Sequence, residues 1–200
     1  MKYFLLLFLL LPAASVAQQN WVLKKNENGI QVFMRELEGS PFKEIKVKTK
    51  CAGTLQRFKK LLLDVNNHKQ WVYNTRESDL IKMISDNELI YYTEFHLPWP
   101  VSNRDLTCHL KLVTDSIPNV YFVQAHAVQG VMPPKDGKVR VVSSRSSWKV
   151  VSLDNRELDI EYSVRVDPAG SIPPWLVNLT AVTGPFHSFT NLREMLKTPQ

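Results

Sequence analysis

Five histidines, two cysteines and a run of serines are the side chains here with the means to do metal or covalent chemistry. Glu94 and His96 alternate along one strand-like stretch and so share a face. A catalytic metal needs a third ligand, however, and His68, His109, His126 and His187 stand apart in the chain. The histidines therefore read as structural, and neither a metal nor another cofactor is expected. Ser143-Ser144-Arg145-Ser146-Ser147 lacks the Gly-x-Ser-x-Gly setting of a nucleophile elbow, and seven glycines leave little material for a phosphate-cradling loop. Cys51 and Cys108 fall on the apolar phase of their strands, where a free thiol behaves as a small hydrophobe, and nothing beside them activates a thiolate. One disulfide between them stays open, with free thiols favoured. Asn178-Leu179-Thr180 fits a glycosylation sequon, but its place in a predicted helix reads as coincidence.

One stretch has a shape suited to chemistry or binding. In Leu97-Pro98-Trp99-Pro100-Val101-Ser102-Asn103-Arg104-Asp105 two prolines bracket a tryptophan, so the backbone must leave one strand before Arg104 and Asp105 begin the next. Arg104 there serves either a salt bridge or a ligand, and Asp105 can cap a turn.

The elements that position these residues are mostly strands. Ile45, Val47, Thr49 and Cys51 alternate with Lys46, Lys48 and Lys50, the period of a half-buried strand. Thr54 caps a helix reaching about Val65, with Leu55, Phe58, Leu61 and Leu62 at core spacing. Further strands are predicted over residues 89–97, 106–113, 120–128, 139–151 and 158–166, joined by short turns as in an antiparallel meander. At the C-terminus, Pro173 and Pro174 start a long helix and Pro199 ends it. Trp175, Leu179, Val182, Phe186, Phe189, Leu192 and Leu196 fall in one sector roughly 140° wide. Gly184-Pro185 marks an expected kink. A one-sided sheet must cover its apolar face, and this helix is the largest cover available.

Residues 1–17 are set aside from the fold. Lys2, a short apolar run and Ser15-Val16-Ala17 form a secretory leader cleaved before Gln18, too short to span a membrane. Residues 18–200 then form one domain. Without Lys2 it carries 24 basic and 19 acidic side chains, a formal charge of +5. That surplus suits loose attraction to an anionic membrane, and no arginine-rich aromatic stripe points to nucleic acid.

The proline-bracketed loop with Val101-Ser102-Asn103-Arg104-Asp105 is followed by Pro133-Pro134-Lys135-Asp136-Gly137-Lys138-Val139-Arg140 and Trp148. Asp167-Pro168-Ala169-Gly170-Ser171-Ile172-Pro173-Pro174-Trp175-Leu176-Val177-Asn178 comes next, and Trp71 lies upstream. This order resembles the START family, the StAR-related lipid-transfer domains, over nearly the whole mature chain. The resemblance implies an α+β helix-grip fold, a curved antiparallel sheet wrapped around a long C-terminal helix and enclosing one lipid-like molecule. It implies no cofactor and no catalysis; a monomer is expected, and the leader points to a secreted, periplasmic setting. The expected lining is Leu110, Trp148, Ile160, Tyr162, Val164, Trp175, Leu179, Val182, Phe186 and Phe189. Pro98, Trp99, Arg104, Gly184 and Pro185 are the expected gate, which opens at a membrane surface. Two departures from the family pattern stand out. Sterol-binding relatives carry an arginine on the strand after the Arg-Asp motif, where this chain has Leu106-Thr107-Cys108-His109-Leu110, so a sterol is not carried over. The helix before the first strand is also short. The rival readings are a ligand sensor and a cyclase-like helix-grip enzyme using Tyr92, Glu94, His96, Arg104 or His109 inside the pocket.

Overall fold

Alternation along the strands dictates a sheet with one apolar face, and the computed structural model, which describes residues 20–153 and 156–197, has such a sheet. The expected leader and Pro199 lie outside the described residues. The strands are β1 (Val22–Glu27), β2 (Ile30–Leu37), β3 (Ser40–Ala52), β4 (Thr75–Ser85), β5 (Glu88–Phe95), β6 (Asn103–Ile117), β7 (Val120–Ala127), β8 (Lys138–Arg140), β9 (Ser143–Leu153) and β10 (Glu157–Asp167). The helices are α1 (Leu55–Leu63), α2 (Pro174–Thr180) and α3 (Thr183–Lys197). The sheet runs β1-β2-β3-β10-β9-β7-β6-β5-β4, antiparallel throughout, and β8 pairs parallel with the start of β6. This is the expected helix grip.

The seam that makes the sheet continuous lies between β10 and β3, where Leu158 pairs with Cys51 and Val164 with Ile45. Ile45, Val47, Thr49 and Cys51 are buried on the inner face beside Leu158 and Ile160. The outward lysines are partnered as well: Lys46 and Lys48 reach Glu161 at 3.2 and 2.9 Å. Thr54 caps α1 by accepting from the Arg57 N–H at 3.2 Å, and Leu55, Phe58, Leu61 and Leu62 are buried beneath it. Gly53 precedes this cap because a Cβ there would meet Leu158 at 3.2 Å and Leu196 of α3 at 3.3 Å. Glycine thus lets the end of the terminal helix seat against the sheet.

Three expectations change. The strand expected over residues 139–151 is two strands, because Arg140 is drawn to Asp105 and β8 joins β6, the Val141 N–H donating to the Asp105 carbonyl at 2.8 Å. The edge strand β4 was not expected. Most of its side chains are at least partly exposed, so it carries little of the alternation that betrays a strand.

The terminal helix is interrupted at Ala181 and Val182, upstream of Gly184-Pro185. Proline cannot donate to the carbonyl four residues back, and its ring crowds that carbonyl, here Ala181; the helix therefore restarts with Pro185 in its first turn. Phe186 N–H donates to the Val182 carbonyl at 3.2 Å. The short α2 is anchored separately: Asn178 donates to the Pro41 carbonyl and accepts from the Lys43 N–H, both at 3.1 Å.

Candidate functional site

Between the concave face of the sheet and α3 lies a cavity of about 400 Å³. Its walls are the inward phases of five strands, with Ala125 from β7. Tyr91, Thr93 and Phe95 come from β5, Arg104, Leu106, Cys108 and Leu110 from β6, Ser144, Ser146 and Trp148 from β9, and Tyr162, Val164 and Val166 from β10. Gly184, Pro185, Ser188 and Phe189 of α3 close it, and His68 and Trp71 complete one end. Trp148 is the hub of that end: its ring centroid lies 4.4 Å from Tyr162, 5.2 Å from Phe189, 5.6 Å from Phe58 and 6.4 Å from Trp71. Such edge and offset contacts suit the aromatic quadrupole and fix the wall's shape.

The cavity is nearly free of charge. Burial holds the His68 imidazole near a pKa of about 4, so it is neutral, and its Nε2–H donates to the Leu62 carbonyl at 2.9 Å. Burial pushes the Cys108 thiol up to about 11 and raises the phenols of Tyr91 and Tyr162. Arg104 is the one charged side chain among the described lining residues, and it is buried. Its guanidinium donates to the carbonyls of Ser102 at 2.5 Å, Ala169 at 3.1 Å and Pro168 at 3.2 Å. It thereby ties the proline-bracketed loop to the turn before α2. The alternatives of salt bridge and ligand contact gain a third: a clamp on backbone carbonyls at the cavity wall.

Of the expected lining, Leu110, Trp148, Tyr162, Val164 and Phe189 are on the wall. Ile160 is fully buried in the core but off the wall. Phe186 is buried elsewhere, with Lys25 Nζ 3.7 Å above its ring, and Val182 packs at the interruption between helices. Trp175 and Leu179 are corrected: they are 67% and 70% exposed. Their assignment extrapolated one helical phase across residues 181–182, and the interruption there removes the phase relation. Of the expected gate, Arg104, Gly184 and Pro185 line the cavity, Pro98 is exposed off its wall, and Trp99 is 92% exposed.

The residues needed by the enzyme reading are mostly on the other face. Tyr92 and Glu94 are buried beneath the segment that leads into β8. There Lys138 and Asn103 reach Glu94 at 3.0 and 2.8 Å, and Lys135 lies 3.8 Å above the Tyr92 ring. Asp105 is held by Arg140 Nε and Nη2 at 2.8 and 3.0 Å. His109 bonds Glu88 at 2.7 Å, and His96 is exposed; only Arg104 of that set faces the cavity. Among the described residues no group of three histidine, cysteine or acidic side chains is placed to hold a metal, and no helix is long and apolar enough to cross a membrane.

The START domain family model matches residues 8–199. The chain belongs to the START domain family. A START-related crystal structure from Xanthomonas axonopodis, described as a STAR-related lipid transfer protein, superposes with a TM-score of 0.81 at 34% identity, covering 89% of this chain and 99% of that one. An uncharacterized protein of Pseudomonas aeruginosa is 26% identical over 181 residues, 90% of this chain and 89% of its own. The mouse phosphatidylcholine transfer protein is 28% identical over 173 residues, 82% of this chain and 78% of its own.

Several wall residues of this START domain escaped the sequence reading. Tyr91, Phe95, Leu106 and Cys108 sit on the same period-two phase as Leu110 or its cross-strand partner Leu89, and extending that phase along β5 and β6 would have found them. His68 and Trp71 carry no such signal, since they come from a 3₁₀ turn (Val65–Gln70) and its end.

Proposed function

We propose that this START domain is a non-catalytic carrier that binds one lipid or comparable hydrophobic molecule in the cavity beneath α3. The observation that carries the reading is the cavity itself: about 400 Å³, walled by aromatic and aliphatic side chains, with Arg104 as its one charged lining group among the described residues. Each methylene moved there from water contributes roughly 0.8 kcal/mol, so a hydrocarbon chain binds with few polar contacts. The relatives named for lipid transfer support the same class of ligand.

The carrier works as a monomer outside the cytoplasm, in a periplasm, after removal of residues 1–17. Its gate is the first turn of α3, where Gly184 and Pro185 meet the cavity just beyond the interruption between helices. Exposed Trp99, Trp175 and Leu179 favour a transient contact with a membrane surface during exchange.

The test is gentle purification of the mature chain, solvent extraction and mass spectrometry, beside a Val164→Trp variant that fills the cavity. A lipid enriched in the wild type and lost from the folded variant is expected. No enrichment, together with no uptake from labelled phospholipid vesicles, refutes the proposal.

A further inference from the structure

A second concavity, about 440 Å³, lies on the opposite, outward face of the sheet, lined by Glu44, Gln124, His126, Arg145 and Arg165 with the serines of β9 and β10. Sheet register puts an unusual row across it: His109 pairs with His126, His126 with Arg145, and Arg145 with Arg165. Directly opposed side chains stand roughly 5 Å apart at Cβ, and like charges so placed destabilise a sheet. Nearby cations are neutralised. Arg35 holds Glu44 at 2.5 Å, Lys46 and Lys48 share Glu161, and Lys111 with His109 shares Glu88. Arg145 and Arg165 have no carboxylate partner among the described residues. Beside them Ser147 and Ser163 hydroxyls lie 2.9 Å apart, one hydrogen bond from an added acceptor.

We propose that this groove is a second binding site, taking a phosphate-type oxyanion between Arg145 and Arg165. Two guanidinium forks supply planar, paired donors that match an oxyanion's oxygens, and the serine hydroxyls supply shorter-range donors beneath them. The ligand's negative charge removes the repulsion that the arginine pair otherwise imposes. Glu44 also lines the groove, and Arg35 offsets its charge by holding Oε2 through Nε at 2.6 Å and Nη2 at 2.5 Å. Burial, with smaller contributions from His109 and Arg145, holds His126 below its ordinary pKa. The groove opens on the other side of the sheet from the cavity, and the two share only Ala125 and Ser146 of the strands between them.

Pyrophosphate is the probe, and the full mature chain is titrated with it calorimetrically at fixed ionic strength. Arg145→Gln with Arg165→Gln is expected to weaken binding by roughly tenfold or more. Lys149→Gln, which removes a cation from the same face outside the groove, and the cavity-filling Val164→Trp should leave it unchanged. Without ligand, the double arginine variant should melt no lower than wild type, since a repulsion has gone. Cosedimentation with phosphatidylcholine vesicles, with and without phosphatidic acid, separates the sources. Loss of phosphatidic acid binding in the double variant assigns a lipid headgroup, and pyrophosphate binding alone assigns a soluble phosphate compound. No pyrophosphate binding by wild type, or binding that the double arginine variant retains at full strength, overturns the site.

Discussion

Trp148 and Phe189 lie face to face, ring centroids 5.2 Å apart and planes 23° from parallel, one on β9 and the other on α3. This stack joins helix to sheet at the wall of the cavity. Phe189→Ala removes it along with the Tyr162 contact at 5.5 Å. A loss of about 3–5 kcal/mol is expected in urea unfolding followed by far-UV circular dichroism.

Asp105 and Arg140 form a buried, two-pronged ion pair that fixes β8 against β6. Asp105→Leu leaves the guanidinium without its counter-charge and should cost about 3–5 kcal/mol. Adding Arg140→Met should recover much of that loss. A double-mutant cycle by chemical denaturation measures it, and strictly additive costs would count against the pairing.

His68 sets an acid limit. Its folded pKa is about 4 against an ordinary 6.5, lowered by burial. Between those values the unfolded chain binds the proton that the folded chain refuses, so stability is full above about pH 6.5 and falls as pH drops toward 4. The contribution is roughly 3 kcal/mol. Denaturation from pH 7 to 4 should show a shallower loss in His68→Gln than in wild type.

Gly184 has no conformational need to be glycine. Its φ is not positive, and an added Cβ would sit 3.9 Å from Tyr73 Cδ1, an ordinary contact. Gly184→Ala should stabilise the first turn of α3 by about 0.5–1 kcal/mol. If that turn is the gate, transfer of a fluorescent lipid between vesicles should slow; an unchanged rate with a raised Tm places the gate elsewhere.

What the sequence revealed depended on how many faces of an element are covered. β3 and β10 alternate cleanly because only their inner faces are buried deeply, so Ile45, Leu158 and Ile160 were legible as core. β5 has both faces covered, Tyr91 and Phe95 by the cavity and Tyr92 and Glu94 by the segment before β8. Its pattern therefore could not say which side was which. Strand β4 failed for the opposite reason, with little buried on either face. Along the terminal helix, Phe189, Leu192 and Leu196 kept their predicted phase, but Trp175 and Leu179 did not, because Pro185 resets the helix between them. The START resemblance supplied the overall architecture, while the carbonyl clamp of Arg104 depends on a turn sixty-odd residues away that periodicity does not address.

The seam between β3 and β10 has a temporal meaning. It joins residues 45–52 to residues 157–164, so a growing chain carries β3 for most of its synthesis before the matching strand exists. Contacts of such long separation form slowly, after the loop between them has been closed. The wall supplied by β10 and the roof supplied by α3 are made after every other strand of the sheet they close. A partly made or unfolded chain has no interior to fill, so on the proposed carrier role cargo is met only after the whole domain has folded.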